Sequence, residues 1–324
     1  MQSFEYASPS SLKEATSLLG SSWADAQVLA GGTDLISLMK DYIETPKRVV
    51  NIKGIKELQG ISSGKGGLRI GALVTFEELA NNAAVRQQFP SLVTAVRGVS
   101  SPQIRNMGTV GGDLCQRPRC WYYRTGNGLL GMKDGKSLIP TGENRYHAIF
   151  GSGPAYFVSA SSLGPALVAL GAKVKLTSPT GAREMEAAKF FVAPTAEGTR
   201  ETALAPNEIL TEVVVPAASV KNATYEVREK DALDWPLVAA AVALKMNGSN
   251  IESGQVVLGH VAPTPYWAEE ASKMLAGKTI SEDVAMQIGE AAVKGAKPLS
   301  GNEYKVQLAK VAVKRALLTA AGKA

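Results

Sequence analysis

The chain has 324 residues, 45% of them hydrophobic and 20% charged, the balance of a globular protein long enough for two domains and for a core that needs no covalent staples. A net charge of +6, spread along the chain with no dense basic cluster, argues against nucleic-acid binding, and two cysteines, Cys115 and Cys120, exclude a disulfide framework and, by themselves, a four-ligand metal site. The N-terminus lacks a basic-then-apolar pattern and no run of about 18 apolar residues occurs, so the expectation is no signal peptide, no membrane span and a reducing, cytoplasmic setting.

Leu12, Ala15, Leu18 and Leu19 recur at helical spacing after Ser8-Pro9-Ser10 and predict a short amphipathic helix. Gln27 to Ala30 reads as a brief strand running into Gly31-Gly32, and Asp34 to Lys40 as a helix. Arg48 to Ile52 and Leu68 to Ile70 alternate as strands, and Thr75-Phe76-Glu77-Glu78 has the form of a capping box. Alternating strands and helices favour an α/β reading at this stage. A second glycine-centred turn falls between Ser100 and Leu114, followed by an aperiodic stretch from Arg124 to Gly153 read as an extended loop. Beyond Tyr225, the apolar run from Trp235 to Leu244 predicts a helix and Gln255 to Val261 a strand. Helices are predicted over Glu269 to Leu275, Ser281 to Lys294 and Tyr304 to Ala321, the last with Leu308, Val311, Ala312 and Leu318 on one face.

Two glycine turns carry the chemistry. In Ala30-Gly31-Gly32-Thr33-Asp34 the glycines let the backbone approach a ligand, and the following helix N-terminus supplies free N–H donors for an anion. Thr109-Val110-Gly111-Gly112-Asp113 offers the same groups, so the pair could hold the two phosphates of a dinucleotide cofactor, with threonine hydroxyls as donors and Asp113 as an acceptor. No G-x-G-x-x-G follows a strand, and Gly60 to Lys65 is one residue short of a phosphate loop, which demotes a nicotinamide site and an NTPase. Two histidines, His147 and His260, are too few and too far apart in sequence to suggest a metal site or a catalytic triad, and Trp121-Tyr122-Tyr123 reads as packing first and as a flavin-shielding or subunit-facing patch second.

Three segments, LAGGTDLISLMK (Leu29 to Lys40), IGALVTFEELA (Ile70 to Ala80) and PQIRNMGTVGGDLCQ (Pro102 to Gln116), resemble the signatures of the FAD-binding medium subunit of molybdenum hydroxylases. That family includes xanthine dehydrogenase, carbon monoxide dehydrogenase and aldehyde oxidoreductase. NEILTEVVVP (Asn207 to Pro216), YEVREKDALDWPLVAAAVAL (Tyr225 to Leu244) and LGHVAPTPYWAEEA (Leu258 to Ala271) are similar to its later segments, in the same order. The resemblance implies an α+β protein: an FAD-binding domain of the vanillyl-alcohol-oxidase (PCMH) type over residues 1–220, built from two α/β subdomains (about 1–55 and 56–220), and a C-terminal domain over 221–324 with a small antiparallel sheet and helices. Carried over by position, it makes Leu29, Ala30, Gly31, Gly32, Thr33, Asp34 and Leu35 one pyrophosphate-binding segment and Thr109, Gly111, Gly112 and Asp113 the other. Ile209 or Leu210 would pack on the adenine end, and Ser162 and Lys230 would reach the cofactor.

The implied cofactor is FAD, and the implied partners are a small [2Fe–2S] subunit and a large molybdopterin subunit, from which electrons would pass through this chain to an external acceptor. No catalytic acid or base is expected, because the flavin ring stores the electrons itself. A partner with an export signal would carry the complex to the periplasm. CQRPRCWYYR (Cys115 to Arg124) resembles the start of an insertion that holds a [4Fe–4S] cluster on four cysteines in some relatives; two cysteines cannot complete it, so no cluster is expected. Two other readings are a flavin-free scaffold subunit and a free-standing flavin oxidoreductase of the same fold.

Overall fold

The computed structural model describes residues 1–99, 101–151, 153–217, 219–231 and 233–323. Residues 100, 152, 218, 232 and 324, on which the head of the second glycine segment, part of the aperiodic loop and part of the 225–244 run fall, lie outside the description.

The first layer is a parallel three-stranded sheet in the order Glu5–Ala7, Arg48–Asn51, Ala26–Leu29. Helix Leu12–Ser17, capped by the Ser11 side chain, and helix Leu35–Lys40 supply its crossovers. Its small core gathers Ala15, Ala26, Val50, Ile52, Ile55 and Leu58. An antiparallel five-stranded sheet follows, in the order Ile61–Gly64, Gly67–Gly71, Ile209–Val215, Lys173–Ser178, Gly181–Glu186. Short helices Phe76–Asn81, Ala83–Gln88, Pro90–Arg97 and Gly164–Ala169 cover it. The capping box at Thr75 is present in full, each side chain bonded to the other residue's backbone.

A register shift between Leu210 and Glu212 bulges the Ile209–Val215 strand beside Thr211. Alternation lets one strand serve two cores, Ile209 packing with the N-terminal layer and Leu210 with the five-stranded sheet, and past the bulge Val213 and Val215 join Leu210 in that second core. The strand thus brings the two layers together at the point where both edge a cleft.

A four-stranded antiparallel sheet, Val220–Val227, Val238–Asn247, Asn250–Gly259, Tyr266–Trp267, forms the remainder with helices Glu282–Ala292 and Tyr304–Ala320. Here the structure corrects the sequence reading. Trp235 to Leu244 is not a helix; from Val238 onward it belongs to an interior strand, Val238–Asn247. Ala240, Val242 and Leu244 pack into the core with the terminal helices, while Ala241 and Ala243 pack into the core of the five-stranded sheet. A strand buried on both faces has no alternation to display, and its apolar run is indistinguishable from a buried helix by period alone. On the last helix the buried stripe runs through Lys305, Ala309, Ala312, Val313, Ala316 and Leu317, so Val311 lies off it and Leu308 at its edge. The aperiodic loop holds one hairpin, Met132–Lys133 with Lys136–Ser137, among turns.

Candidate functional site: a cleft between two glycine segments

The Ala26–Leu29 strand ends at Ala30, and the chain turns at Gly32 with φ of 74°, a conformation that glycine adopts at no steric cost. A side chain on Gly31 would collide with the Met107 carbonyl oxygen, so the first glycine segment lies directly on the backbone that leads into the second. Among the described residues, the backbone N–H groups of Gly31, Gly32, Thr33, Asp34 and Leu35 donate to no protein acceptor. Five consecutive free donors at the head of a helix form a nest for an anion.

The second segment differs from its expected form. Thr109 caps the short helix Val110–Cys115, its hydroxyl accepting from Gly112 N–H, so the two glycines lie in the first helical turn and not in a strand-to-helix turn. The N–H groups of Val110 and Gly111 donate to the carbonyls of Val74 and Ala72, and that of Asp113 to Thr109. The segment is therefore no second nest. Its glycines serve closeness: a Cβ on Gly111 would come within 2.8 Å of that of Ala72, and a Cβ on Gly112 would meet only the Thr109 hydroxyl and otherwise enter the cleft.

Two adjoining hollows share Thr33, Asp34, Thr109, Gly112 and Gln116 and form one continuous cleft. The first is lined by Ala30 through Leu35, Gly111, Ile209 and Leu210; the second reaches Asp113, Ser162 and Trp235. Leu29 lines neither, packing instead behind Gly32. Nor does the structure bring Lys230 to the cleft. The loop before the interior strand folds around Asp234, whose carboxylate accepts the N–H groups of Glu229, Lys230 and Trp235, leaving Lys230 exposed while Asp234 and Trp235 line the second hollow.

Asp113 is buried, and its carboxylate already accepts from the Ser161 hydroxyl, the N–H groups of Ser162 and Leu163, and Gln116 Nε2. Burial pushes its pKa up to about 6, against those donors. It acts as a strut fixing Ser162 beside the second hollow.

The sequence reading missed the ionic network under the cleft. Asp34 accepts from the Arg117 N–H at 2.8 Å and from Arg124 at 2.8 Å, and pairs with Arg119 at 3.3 Å. Arg117 in turn faces Glu201 at 3.0 Å and Glu44 at 3.6 Å, and Arg200 faces Glu44 at 3.3 Å. Burial raises the pKa of Glu44 and Glu201, with Arg117 opposing it first in each case. Three arginines in eight residues, Arg117 to Arg124, were the available signal. Cys115 lines the first hollow as a free thiol whose pKa burial pushes up to about 12, and Cys120 is free and buried. Among the described residues no three His, Cys, Asp or Glu side chains gather as metal ligands, and no helix is long and apolar enough to cross a membrane.

Residues 2–218 match the family described as the FAD binding domain in molybdopterin dehydrogenase, and residues 223–320 the CO dehydrogenase flavoprotein C-terminal domain. The carbon monoxide dehydrogenase medium chain of Hydrogenophaga pseudoflava is 30% identical over 97% of this chain and 96% of its own. The aldehyde oxidoreductase FAD-binding subunit PaoB of Escherichia coli is 32% identical over 88% of each chain. Among solved structures, a chain of the Cu,Mo-CO dehydrogenase superposes with a TM-score of 0.78 at 27% identity, covering 100% of this chain and 99% of that one. A chain of quinoline 2-oxidoreductase from Pseudomonas putida gives 0.78 at 26%, covering 99% and 98%. With a nest for an anion on one wall of its cleft and both family domains in order along its length, the chain belongs to the FAD-binding medium subunits of the molybdenum hydroxylases, a family of oxidoreductase subunits.

Proposed function

We propose that this subunit holds FAD along the cleft and passes electrons from the [2Fe–2S] clusters of a small partner subunit to an external acceptor, within a complex whose large subunit carries molybdopterin. The observation that carries the reading is the row of five free N–H donors from Gly31 to Leu35. Unpaired backbone donors cost free energy unless a ligand or water meets them, and a pyrophosphate meets several at once. A scaffold subunit without cofactor has no use for such a row.

FAD, when bound, takes up and releases one or two electrons through its isoalloxazine ring. The chain's own residues hold and orient it. Gly31 to Leu35 and the Thr33 and Thr109 hydroxyls would take the pyrophosphate, and Ile209 and Leu210 would wall the adenine end. The second hollow, between Ser162 and Trp235, would take the ring end. The Asp34–arginine network fixes the nest against the 117–124 segment, so the donors need no rearrangement on binding. Domains meeting near residue 220 would frame the ring end from both sides.

Affinity purification of the tagged chain from its native host tests the partnership, by metal analysis of what comes with it. Iron and molybdenum in fixed ratio to flavin are expected. A chain that purifies alone, without either metal, contradicts the reading.

A further inference from the structure

The first hollow is walled by two layers of the fold, and one side chain joins them. Trp23 precedes the Ala26–Leu29 strand and Glu44 follows the Leu35–Lys40 helix, so both belong to the N-terminal layer. Arg200 comes from the other layer, from the connection between helix Ala187–Phe190 and the Ile209–Val215 strand. Its guanidinium lies 4.2 Å from the centroid of the Trp23 ring and 3.3 Å from the Glu44 carboxylate.

The connection has the form of a strap. Backbone bonds close its root, Val192 N–H to the Glu201 carbonyl at 2.9 Å and Ala203 N–H to the Phe190 carbonyl at 2.7 Å. Thr195 to Thr199 stand exposed, and Glu197 tethers them by accepting the Leu130 N–H at 3.0 Å. Arg200, by contrast, keeps only 15% of its side chain exposed. Ordering and desolvating an arginine at the foot of an exposed loop costs free energy, and here the cost is offset by contacts with the opposite layer alone: an aromatic face and a carboxylate.

The polar groups narrow what this end of the cleft can take. Arg117 and Arg200 face Glu44 and Glu201, two cations against two carboxylates, so it carries no surplus positive charge for a phosphate. Gln27 Nε2 donates to the Trp23 carbonyl and to Glu44, each at 3.2 Å, which spends the amide protons and leaves its oxygen an acceptor with no donor among the described residues. An indole face, a guanidinium plane and a neutral acceptor suit an aromatic base that carries an amino group, because bases stack on tryptophan and arginine alike.

We propose that Arg200 and Trp23 form a clasp on the adenosine half of the cofactor, so that this pair, and not the nest, determines how slowly FAD leaves the chain and why FMN, which lacks that half, is not retained. The proposal rests on the reading that the cleft holds FAD with its pyrophosphate at Gly31 to Leu35. The base lies against the pair, and FAD departs only when the strap parts from the N-terminal layer.

The test uses the full chain, stripped of flavin, with FAD, FMN and ADP as probes and two variants. Arg200→Lys keeps a charge opposite Glu44 and loses the planar face, and Trp23→Leu removes the ring and leaves the ion pair. In the parent, ADP competes with FAD, and FMN binds about a hundredfold more weakly than FAD. In both variants FAD release, followed by flavin fluorescence, is faster and ADP affinity weaker by about tenfold or more. FMN affinity and the thermal midpoint of the unliganded chain stay at parental values. FAD release and ADP affinity that match the parent overturn the proposal, and so does an equal loss for FMN and FAD, which would place the effect on the nest or on the fold. A chain that binds ADP but no flavin defeats the FAD reading alone, and the ADP titrations of the variants still decide the clasp. A chain that binds neither ends both.

Discussion

Gly31 and Gly54 form a matched pair for testing the cleft residue by residue. A methyl on Gly31 strikes the Met107 carbonyl, whereas one on Gly54 meets nothing within 4 Å. Gly31→Ala is expected to cost about 1–3 kcal/mol from overpacking and to lower flavin content, while Gly54→Ala stays within about 0.5 kcal/mol of the parent. Denaturant titration and flavin content of the two variants check this; equal behaviour would remove the close approach from the account. Asp113 gives a pH signature. Its folded-state pKa, about 6, lies above the ordinary aspartate value of about 4, so the native protein holds a proton that the unfolded chain has released between those values. Stability from this group is therefore present below about pH 4 and lost as pH rises through 6, about 3 kcal/mol for a shift near two units. Asp113→Asn should flatten that slope in urea titrations from pH 4 to 7, and an unchanged slope would show that the carboxyl titrates without consequence. At this scale the strand, the Gly31-Gly32-Thr33 turn and the helix after it were readable in the sequence, because that pattern is local. Lys230 lies exposed because the turn around Asp234 holds its backbone, and Arg117, Arg119 and Arg200 were missed because their positions depend on Asp34 and Glu44, as many as 156 residues away in the chain.

The Tyr304–Ala320 helix shows what elements conceal. Its Lys305, 1% exposed, ties the first turn to the loop at Tyr146 and His147 and to the end of the Asn250–Gly259 strand. Lys305→Met would leave three carbonyls without their donor and is expected to destabilise the protein by about 2–4 kcal/mol. Thermal and denaturant unfolding measure the loss; a variant as stable as the parent would mean that water replaces the ammonium. Periodicity predicted the helix but set a lysine on it without a role, since a buried cation capped by carbonyls leaves no trace in hydropathy. The interior strand fails in the opposite sense. Ala239 to Ala243 favours a helix by propensity, yet small side chains are what allow two cores to close on both faces of one strand. The capping box at Thr75, by contrast, is a contact within four residues and was legible in full.

For the whole molecule, the family segments, kept in order from Leu29 to Ala271, made the α+β architecture and its FAD cofactor readable before any coordinate. What they did not disclose is how the parts interlock. Ala241, Ala243 and Val257 of the C-terminal sheet lie in the core of the five-stranded sheet, and the Ile209–Val215 strand joins that core to the N-terminal layer. The cleft is formed where these layers meet. Its integrity, and with it cofactor binding, is a property of the assembled chain and not of either glycine segment alone. The most direct test is a titration of the flavin-stripped chain with FAD, followed by absorbance and by identification of the bound chromophore. The account predicts stoichiometric uptake of FAD, with bands at about 370 and 450 nm, weakened by Gly31→Ala and unaffected by Gly54→Ala. A folded chain that remains colourless in the presence of excess FAD would contradict it.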